Sequence, residues 1–231
     1  MKPFRFHGQF DPPVDRYLFE RFFPDLRDGL ALECGAFDGR IESSCLFFEE
    51  TRGWRCVNVE AAPPIFARLQ ANRPGSVNIC AALSDREGKA RFRHAISPLC
   101  GDHFGNGSLS HHPEHQADLE SRGCRFDEYE VRTMTYGQLL AETGIGRPDL
   151  FVLDVEGHEV EVIAGMRDAL LPSVLCVEHG HLGVERIRAA LEGLPFRYDS
   201  SHEVNSFFVN ELHPPRRPSA FSRLWSRLTR D

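Results

Sequence analysis

Two acids, each placed where an apolar run gives out, are the first residues in this chain equipped for chemistry. The stretch Ala31-Leu32-Glu33-Cys34-Gly35-Ala36-Phe37-Asp38-Gly39 passes Glu33 and enters a turn bearing two glycines. A second run, Val57-Asn58-Val59-Glu60, ends in an acid about 20 residues past the last glycine, the spacing of a ribose-binding carboxylate. Gly35 lacks a Cβ, so the backbone can turn sharply there and a ligand can come close. Glu60, followed by Ala61, would accept hydrogen bonds from both ribose hydroxyls. The turn residues Gly35, Ala36, Phe37, Asp38 and Gly39, with Glu33, Glu60 and Ala61, thus outline a nucleoside-binding crevice.

The turn also bears on which nucleoside. A dinucleotide fingerprint would read G-x-G-x-x-G, and only Gly35 and Gly39 are present, with Phe37 between them. Phenylalanine leaves little room for a pyrophosphate. Glu33 would repel one, but could hold a cationic amino group. Both points favour S-adenosylmethionine, whose methionine end is an ammonium carboxylate, over NAD. A nicotinamide-dependent oxidoreductase is further disfavoured because no Tyr-x-x-x-Lys pair exists. A nucleoside-binding module without catalysis is the other rival reading.

A second constellation, Asp154-Val155-Glu156-Gly157-His158-Glu159, follows the apolar run 150–155, and Glu178-His179 follows the run 174–177. Ligands of open α/β sheets bind outside the carboxyl ends of strands. If these strands neighbour each other and the first strand, the polar groups converge beside the crevice. Three readings stay open. Asp154, His179 and Glu156 could be acid–base groups that accept a hydroxyl proton. Asp154, Glu178 and His179 could ligate one divalent cation, magnesium or manganese. Or the cluster could be structural, with Glu156 and Glu159 opening a helix at its positive end. His103, His111, His112 and His115 read either as solvated loop histidines or as substrate contacts, with Pro113 setting His111 and His115 apart from a regular helix.

Strands must bring these residues together, and helices must cover them. Apolar spacing predicts helices over 14–23, about 43–51, 63–71, 136–142, from 159, and 184–191. Strands are predicted over 30–34, 55–59, 77–81, 89–93, 130–134, 150–155, 174–177, 196–198 and 206–209. The alternation implies a parallel, doubly wound sheet. Residues 94–127 show no clear period, and 94–128 is expected to be a substrate loop or lid. Residues 1–28 are expected to form a helical cover, within a single domain over 1–213.

Composition narrows the partners. A chain of 231 residues with 41% hydrophobic and 26% charged side chains suits one globular domain, and its net charge of −7 argues against nucleic acid. Lys2 and Lys89 are the only lysines, so a lysine Schiff base is hard to build. Seven scattered cysteines are not a disulfide framework, and they point to a reducing cytoplasm. The segment 214–231 differs: Phe221, Leu224, Trp225 and Leu228 share one helical face, with Arg223, Arg227 and Arg230 elsewhere around it. Residues 219–230 would pack on the domain or a second subunit, or lie on an anionic membrane.

The motifs Glu33-Cys34-Gly35-Ala36-Phe37-Asp38-Gly39, Cys45-Leu46-Phe47-Phe48-Glu49, Gly53-Trp54-Arg55, Val59-Glu60, Ala81-Ala82-Leu83-Ser84-Asp85 and Asp154-Val155-Glu156-Gly157-His158-Glu159 resemble the FkbM family of S-adenosylmethionine-dependent methyltransferases. Ser44-Cys45 stands where the family usually has Asn-Thr. The resemblance implies a class I methyltransferase (Rossmann-like) fold, an α/β sheet of seven strands with the last antiparallel. It implies Glu33, Gly35 and Gly39 at the methionine end, Glu60 on the ribose and Ala82-Leu83 near the adenine. It also implies O-methylation of a small-molecule or glycan acceptor: a sugar, glycolipid, polysaccharide or polyketide-like product. The positions of Asp154, Glu178 and His179 are similar to strand-end metal ligands of catechol-type O-methyltransferases.

Overall fold

The stretch Leu30-Ala31-Leu32-Glu33-Cys34 is buried at every position, as a strand must be when helices cover both faces of its sheet. It forms β1 (Leu30–Cys34), at the middle of the molecule. The computed structural model describes residues 4–103 and 105–215. Before β1 comes α1 (Val14–Phe22). After it run α2 (Leu46–Arg52), β2 (Arg55–Glu60), α3 (Pro63–Asn72), β3 (Val77–Cys80), β4 (Ala82–Leu83), β5 (Gly88–Ile96), β6 (Gly107–Ser108), α4 (Pro113–Ser121) and β7 (Arg125–Met134). The chain continues through α5 (Tyr136–Thr143), β8 (Leu150–Leu153), α6 (Glu159–Ala164), β9 (Val174–Glu178), α7 (Val184–Ala190), β10 (Phe196–His202) and β11 (Asn205–Asn210).

Seven strands form one sheet in the order β10-β11-β9-β8-β1-β2-β3. All neighbours are parallel except β11, which runs antiparallel to both β9 and β10. Alternate residues serve opposite faces. Leu32, Cys34, Val57, Val59, Phe151, Leu153, Leu175 and Val177 pack under α5, α6 and α7. Ala31, Cys56, Leu150, Val152, Val174 and Cys176 pack against α1 and α2 through Val14, Leu18, Phe47 and Phe48. All seven cysteines are free. Among the described residues no helix is long and apolar enough to cross a membrane.

A second sheet, ordered β4-β7-β5-β6, differs from the sequence expectation. Its main pair is longer than the predicted short strands: β5 has 9 residues and β7 has 10, paired antiparallel from Gly88–Thr133 to Ile96–Arg125. Both strands therefore reach into the stretch read as irregular. Outward charges hid them. Lys89 pairs with Glu130, and Arg91 and Arg93 with Glu128, partners more than 30 positions away in sequence. The same stretch holds α4, whose first residue is Pro113. A proline at the first helical position costs no intrahelical bond, so it opens this helix rather than breaking it. Phe221, Leu224, Trp225 and Leu228 lie outside the described residues.

Candidate active site

The turn after β1 is built on a close backbone approach. Gly35 has φ +82°, and a Cβ there would stand 1.7 Å from the carbonyl oxygen of Asp154. The N–H groups of Gly35 and Ala36 both donate to the Val59 carbonyl, at 3.1 Å each, and Asp154 N–H donates to the Cys34 carbonyl at 3.1 Å. The ends of β1, β2 and β8 are thereby fastened together. α3 supports the turn from beneath: Asn72 Nδ2 donates to the Asp38 carbonyl (2.8 Å), and Arg73 Nη1 to the Gly39 carbonyl (3.0 Å). Arg73 is buried and ion-paired with Glu49, and its charge also faces Glu33.

Above this turn lies a cavity lined by the ends of β1, β2 and β8. Glu60 forms one wall. Its carboxylate accepts the Phe37 N–H (3.1 Å) and the Ala62 N–H (2.8 Å), which leaves further lone pairs for a ligand. Burial pushes its carboxyl up to about 7, against those same backbone hydrogen bonds. Ala61, Ala81, Ala82, Leu83, Phe92 and Leu109 supply apolar walls, and Asp154 and Glu156 close the far end. A cover lies across the opening. His158 bridges it, with Nε2 3.0 Å from Ser84 Oγ and Nδ1 2.8 Å from Ser110 Oγ. Gly157, at φ +109°, lets the 110–112 backbone pass within 2.9 Å of where a Cβ would be.

A larger open cleft adjoins this cavity, and Asp154 and Glu156 border both. β8 and β9 are neighbours, with Leu153 opposite Val177, so Asp154 and Glu178 emerge side by side. Carboxylate oxygens of Asp154, Glu156 and Glu178 lie within 4.8 Å of one another. Burial pushes the Asp154 carboxyl up to about 6, opposed by a hydrogen bond from Glu178. Glu156 and Glu178 are raised well above the usual range, first by burial and then by the neighbouring acids. Glu156 sits at φ +57°, left-handed for a residue with a side chain. Glu159 holds that backbone, accepting the N–H groups of Val155 (3.0 Å) and Gly157 (3.1 Å).

The family model described as the methyltransferase FkbM domain matches residues 33–211, from β1 through β11. The chain belongs to the FkbM methyltransferase family. It is similar in structure to an FkbM methyltransferase from Methylobacillus flagellatus KT, at 15% identity over 85% of this chain and 48% of that one, with a TM-score of 0.51. The chain thus spans about half the length of that relative. Weaker likeness extends to a methyltransferase-like protein from Silicibacter pomeroyi DSS-3, at 13% identity over 96% and 98% of the two chains (TM-score 0.48). A fibrillarin from Aeropyrum pernix in complex with natively bound S-adenosyl-L-methionine is also similar, at 11% identity over 85% and 73% (TM-score 0.49). Among curated proteins none matches. The fold is that of class I methyltransferases.

Within this FkbM domain the residues singled out in the sequence fall into two groups. Gly35, Phe37, Glu60, Ala61, Ala82, Leu83, Asp154 and Glu156 line the cavity, and Ala36 and Glu33 line the cleft. Asp38 and Gly39 line neither. Asp38 Oδ1 accepts the N–H groups of Arg40 and Ile41, at 2.9 Å each, and so shapes the turn. Both oxygens of Glu33 are engaged by the next loop, accepting from Ser43 Oγ and Ser44 N–H at 2.7 Å. His179 stands apart from the three acids: its Nδ1 is 2.9 Å from Ser206 Oγ, and it lines a side pocket with Glu178. α1 packs on the sheet, while Gln9 and Phe10 ahead of it border the cleft.

Several lining residues were missed. Phe92 lies in the predicted strand 89–93, but nothing there pointed to the cavity, and His94, Gly105, Gly107 and Leu109 come from the stretch without a clear period. His158 was visible inside the quoted motif, but nothing in its spacing marked it as the bridge to Ser84 and Ser110. Of the loop histidines, His103 is exposed and His111 and His112 are half-buried. His115 is buried, and its ring stacks on His181 with centroids 4.7 Å apart.

Proposed function

We propose that this chain is an S-adenosylmethionine-dependent O-methyltransferase acting on a hydroxyl of a sugar-bearing acceptor, such as a glycolipid, a polysaccharide or a polyketide-like product. One observation carries the reading: the Asp154–Glu156 pair borders both the buried cavity and the open cleft. A nucleoside on one side and a hydroxyl on the other would meet there.

The residues present fit the cofactor. Gly35 lets the Asp154 carbonyl close on the turn, and both residues line the cavity, so backbone borders the ligand space. Glu60 has acceptor capacity for a ribose diol, and Ala82, Leu83, Phe92 and Leu109 offer apolar surface to an adenine. Glu33, held by Ser43 and Ser44 and facing Arg73, lines the cleft beside Gly35 and Ala36, where the methionine end would lie; burial raises its carboxyl above the usual range. When bound, S-adenosylmethionine supplies an electrophilic methyl group on a sulfonium. The protein's part is alignment and exclusion of water beneath the cover, which the His158 bridge holds in place. Asp154, with Glu156 beside it, is the acceptor for the hydroxyl proton. The cleft carries His103, Asn106, Asp118 and Arg122, polar groups suited to a hydroxylated acceptor.

Calorimetry with S-adenosylmethionine and S-adenosylhomocysteine, with NAD as the control, tests the cofactor. Micromolar binding of the first two and none of NAD is expected, and the reverse pattern would overturn the reading. Asp154→Asn should then keep S-adenosylhomocysteine affinity within about threefold and lower turnover on a glycan acceptor by roughly 100-fold or more, as loss of a general base does. Unchanged turnover in this variant would remove Asp154 from the proton step.

A further inference from the structure

β5 delivers two side chains to the wall of the nucleoside cavity: Phe92 and, two positions on and so on the same face, His94. Phe92 is apolar and suits a wall. His94 is only 3% exposed, and its Nε2 is buried with no hydrogen-bond partner among the described residues. A buried polar atom left alone costs free energy, so one on a cavity wall asks for a ligand group. The surroundings hold the ring in place. Its plane lies 25° from that of Phe37, with centroids 6.4 Å apart. A Cβ at Gly107, on β6, would come 3.1 Å from His94 Nδ1, so the glycine makes room for the ring. Asp102 also faces the imidazole, and its carbonyl accepts from Arg68 Nη2 (3.1 Å). Burial lowers the His94 pKa below the usual range, with Asp102 opposing and Arg68 adding, so the neutral ring carries one N–H at pH 7.

Phe37 decides which part of a nucleoside this ring would meet. Its ring rests beside His94, and its N–H donates to Glu60 (3.1 Å), the acid read as the ribose partner. An ionised Glu60 only accepts, so it can take the protons of both ribose hydroxyls. Each hydroxyl oxygen then still has lone pairs for a donor. We propose that His94 Nε2–H donates to a ribose hydroxyl of the bound nucleoside, a binding contact contributed by the second sheet. Glu60 and His94 then grip one sugar from two sheets, and the ribose draws the second sheet onto the first. The proposal rests on the methyltransferase reading for the identity of the nucleoside; the unpartnered nitrogen in the cavity wall stands without it.

Calorimetry on the full chain compares S-adenosylhomocysteine with its 2′-deoxy and 3′-deoxy analogues in wild type, His94→Phe and His94→Gln. His94→Phe keeps a ring without a donor and should weaken S-adenosylhomocysteine about tenfold, as loss of one buried hydrogen bond does. His94→Gln keeps an N–H near the place of Nε2 and should stay within about threefold of wild type. For the analogue lacking the hydroxyl that His94 serves, His94→Phe should cost about twofold or less, because the two deletions remove the same contact. An equal loss with S-adenosylhomocysteine and both analogues makes the ring merely structural and overturns the proposal. So does an unchanged affinity for S-adenosylhomocysteine in His94→Phe. If His94→Phe does not fold, the wild-type chain labelled at its histidine nitrogens decides. The Nε2 resonance missing from His94→Gln should shift when S-adenosylhomocysteine binds, and a resonance that stays in place overturns the contact. These results remove His94 and leave the methyltransferase reading intact. A wild-type chain that binds no S-adenosylhomocysteine overturns that reading, and the ribose contact with it.

Discussion

At the residue scale, Glu60 sits between burial, which raises its carboxyl to about 7, and two backbone N–H donors that favour the charged form. The unfolded chain releases this proton near 4.5, so between there and about 7 the folded protein holds the extra proton. The stability this group contributes is therefore present at acid pH and is lost as pH rises through about 7. A ribose diol reverses the balance, because both hydroxyls donate to the ionised form. S-adenosylhomocysteine affinity should rise about tenfold from pH 6 to pH 8 in isothermal titration, if the bound pKa drops by two units. Glu60→Gln should bind weakly and flatten that dependence; an unchanged slope would assign the proton to another group. Gly35 permits a different test. Gly35→Ala forces a Cβ against the Asp154 carbonyl, 1.7 Å away, in a conformation that already disfavours side chains. It should destabilise the fold by roughly 2 kcal/mol or more and abolish nucleoside binding. Both positions were legible in the sequence as an acid and a glycine at a known spacing. The reason for Gly35 was not, because its contact lies more than a hundred residues away.

At the element scale, the helix–strand joints explain which assignments were easy. β1, β8 and β9 are short apolar runs with an acid at or next to the carboxyl end, and buried parallel strands advertise themselves in that way. β5 and β7 expose alternate charged residues, so the sequence pattern marks only 89–93 and 130–134 and their full length shows only in the cross-strand pairing. α3 illustrates a joint that no local pattern reveals. Arg73, just past its end, is 2% exposed and ties Glu49 of α2 to the Gly39 carbonyl. Arg73→Met leaves Glu49 and Glu33 without their cation, which costs about 3–5 kcal/mol for a buried pair. The melting temperature should fall by roughly 10 °C at 2–4 °C per kcal/mol, measured by scanning calorimetry. A loss below about 2 °C would show that the network is not the fastening described. The His158 bridge is the joint between sheet and cover. His158→Ala removes two hydrogen bonds, worth ~1 kcal/mol each, so amide exchange in residues 107–112 should accelerate about tenfold or more. Equal exchange in the variant would mean the cover is held by packing alone.

At the scale of the whole molecule, the strand order places the crevice where β1 turns away from β2 on one side and β8 on the other, the reversal point of the sheet. The apolar runs and their terminal acids carry the parallel, doubly wound sheet, and the antiparallel last strand comes from the resemblance to the FkbM family. The second sheet, the cleft and the position of His115 follow from neither, because they depend on pairings between distant, half-exposed segments. The contact between Gly35 and the Asp154 carbonyl has a consequence for how such a protein can change over generations. The turn after β1 and the end of β8 that carries Asp154 share one rigid joint, so neither can drift without the other. The opposite bank of the cleft comes from Gln9, Phe10, His103, Asp118 and Arg122, outside that joint. Mutation can therefore redraw the outline of the cleft while the joint stays fixed, so one scaffold can be refitted to different molecules by replacing a few side chains along that cleft.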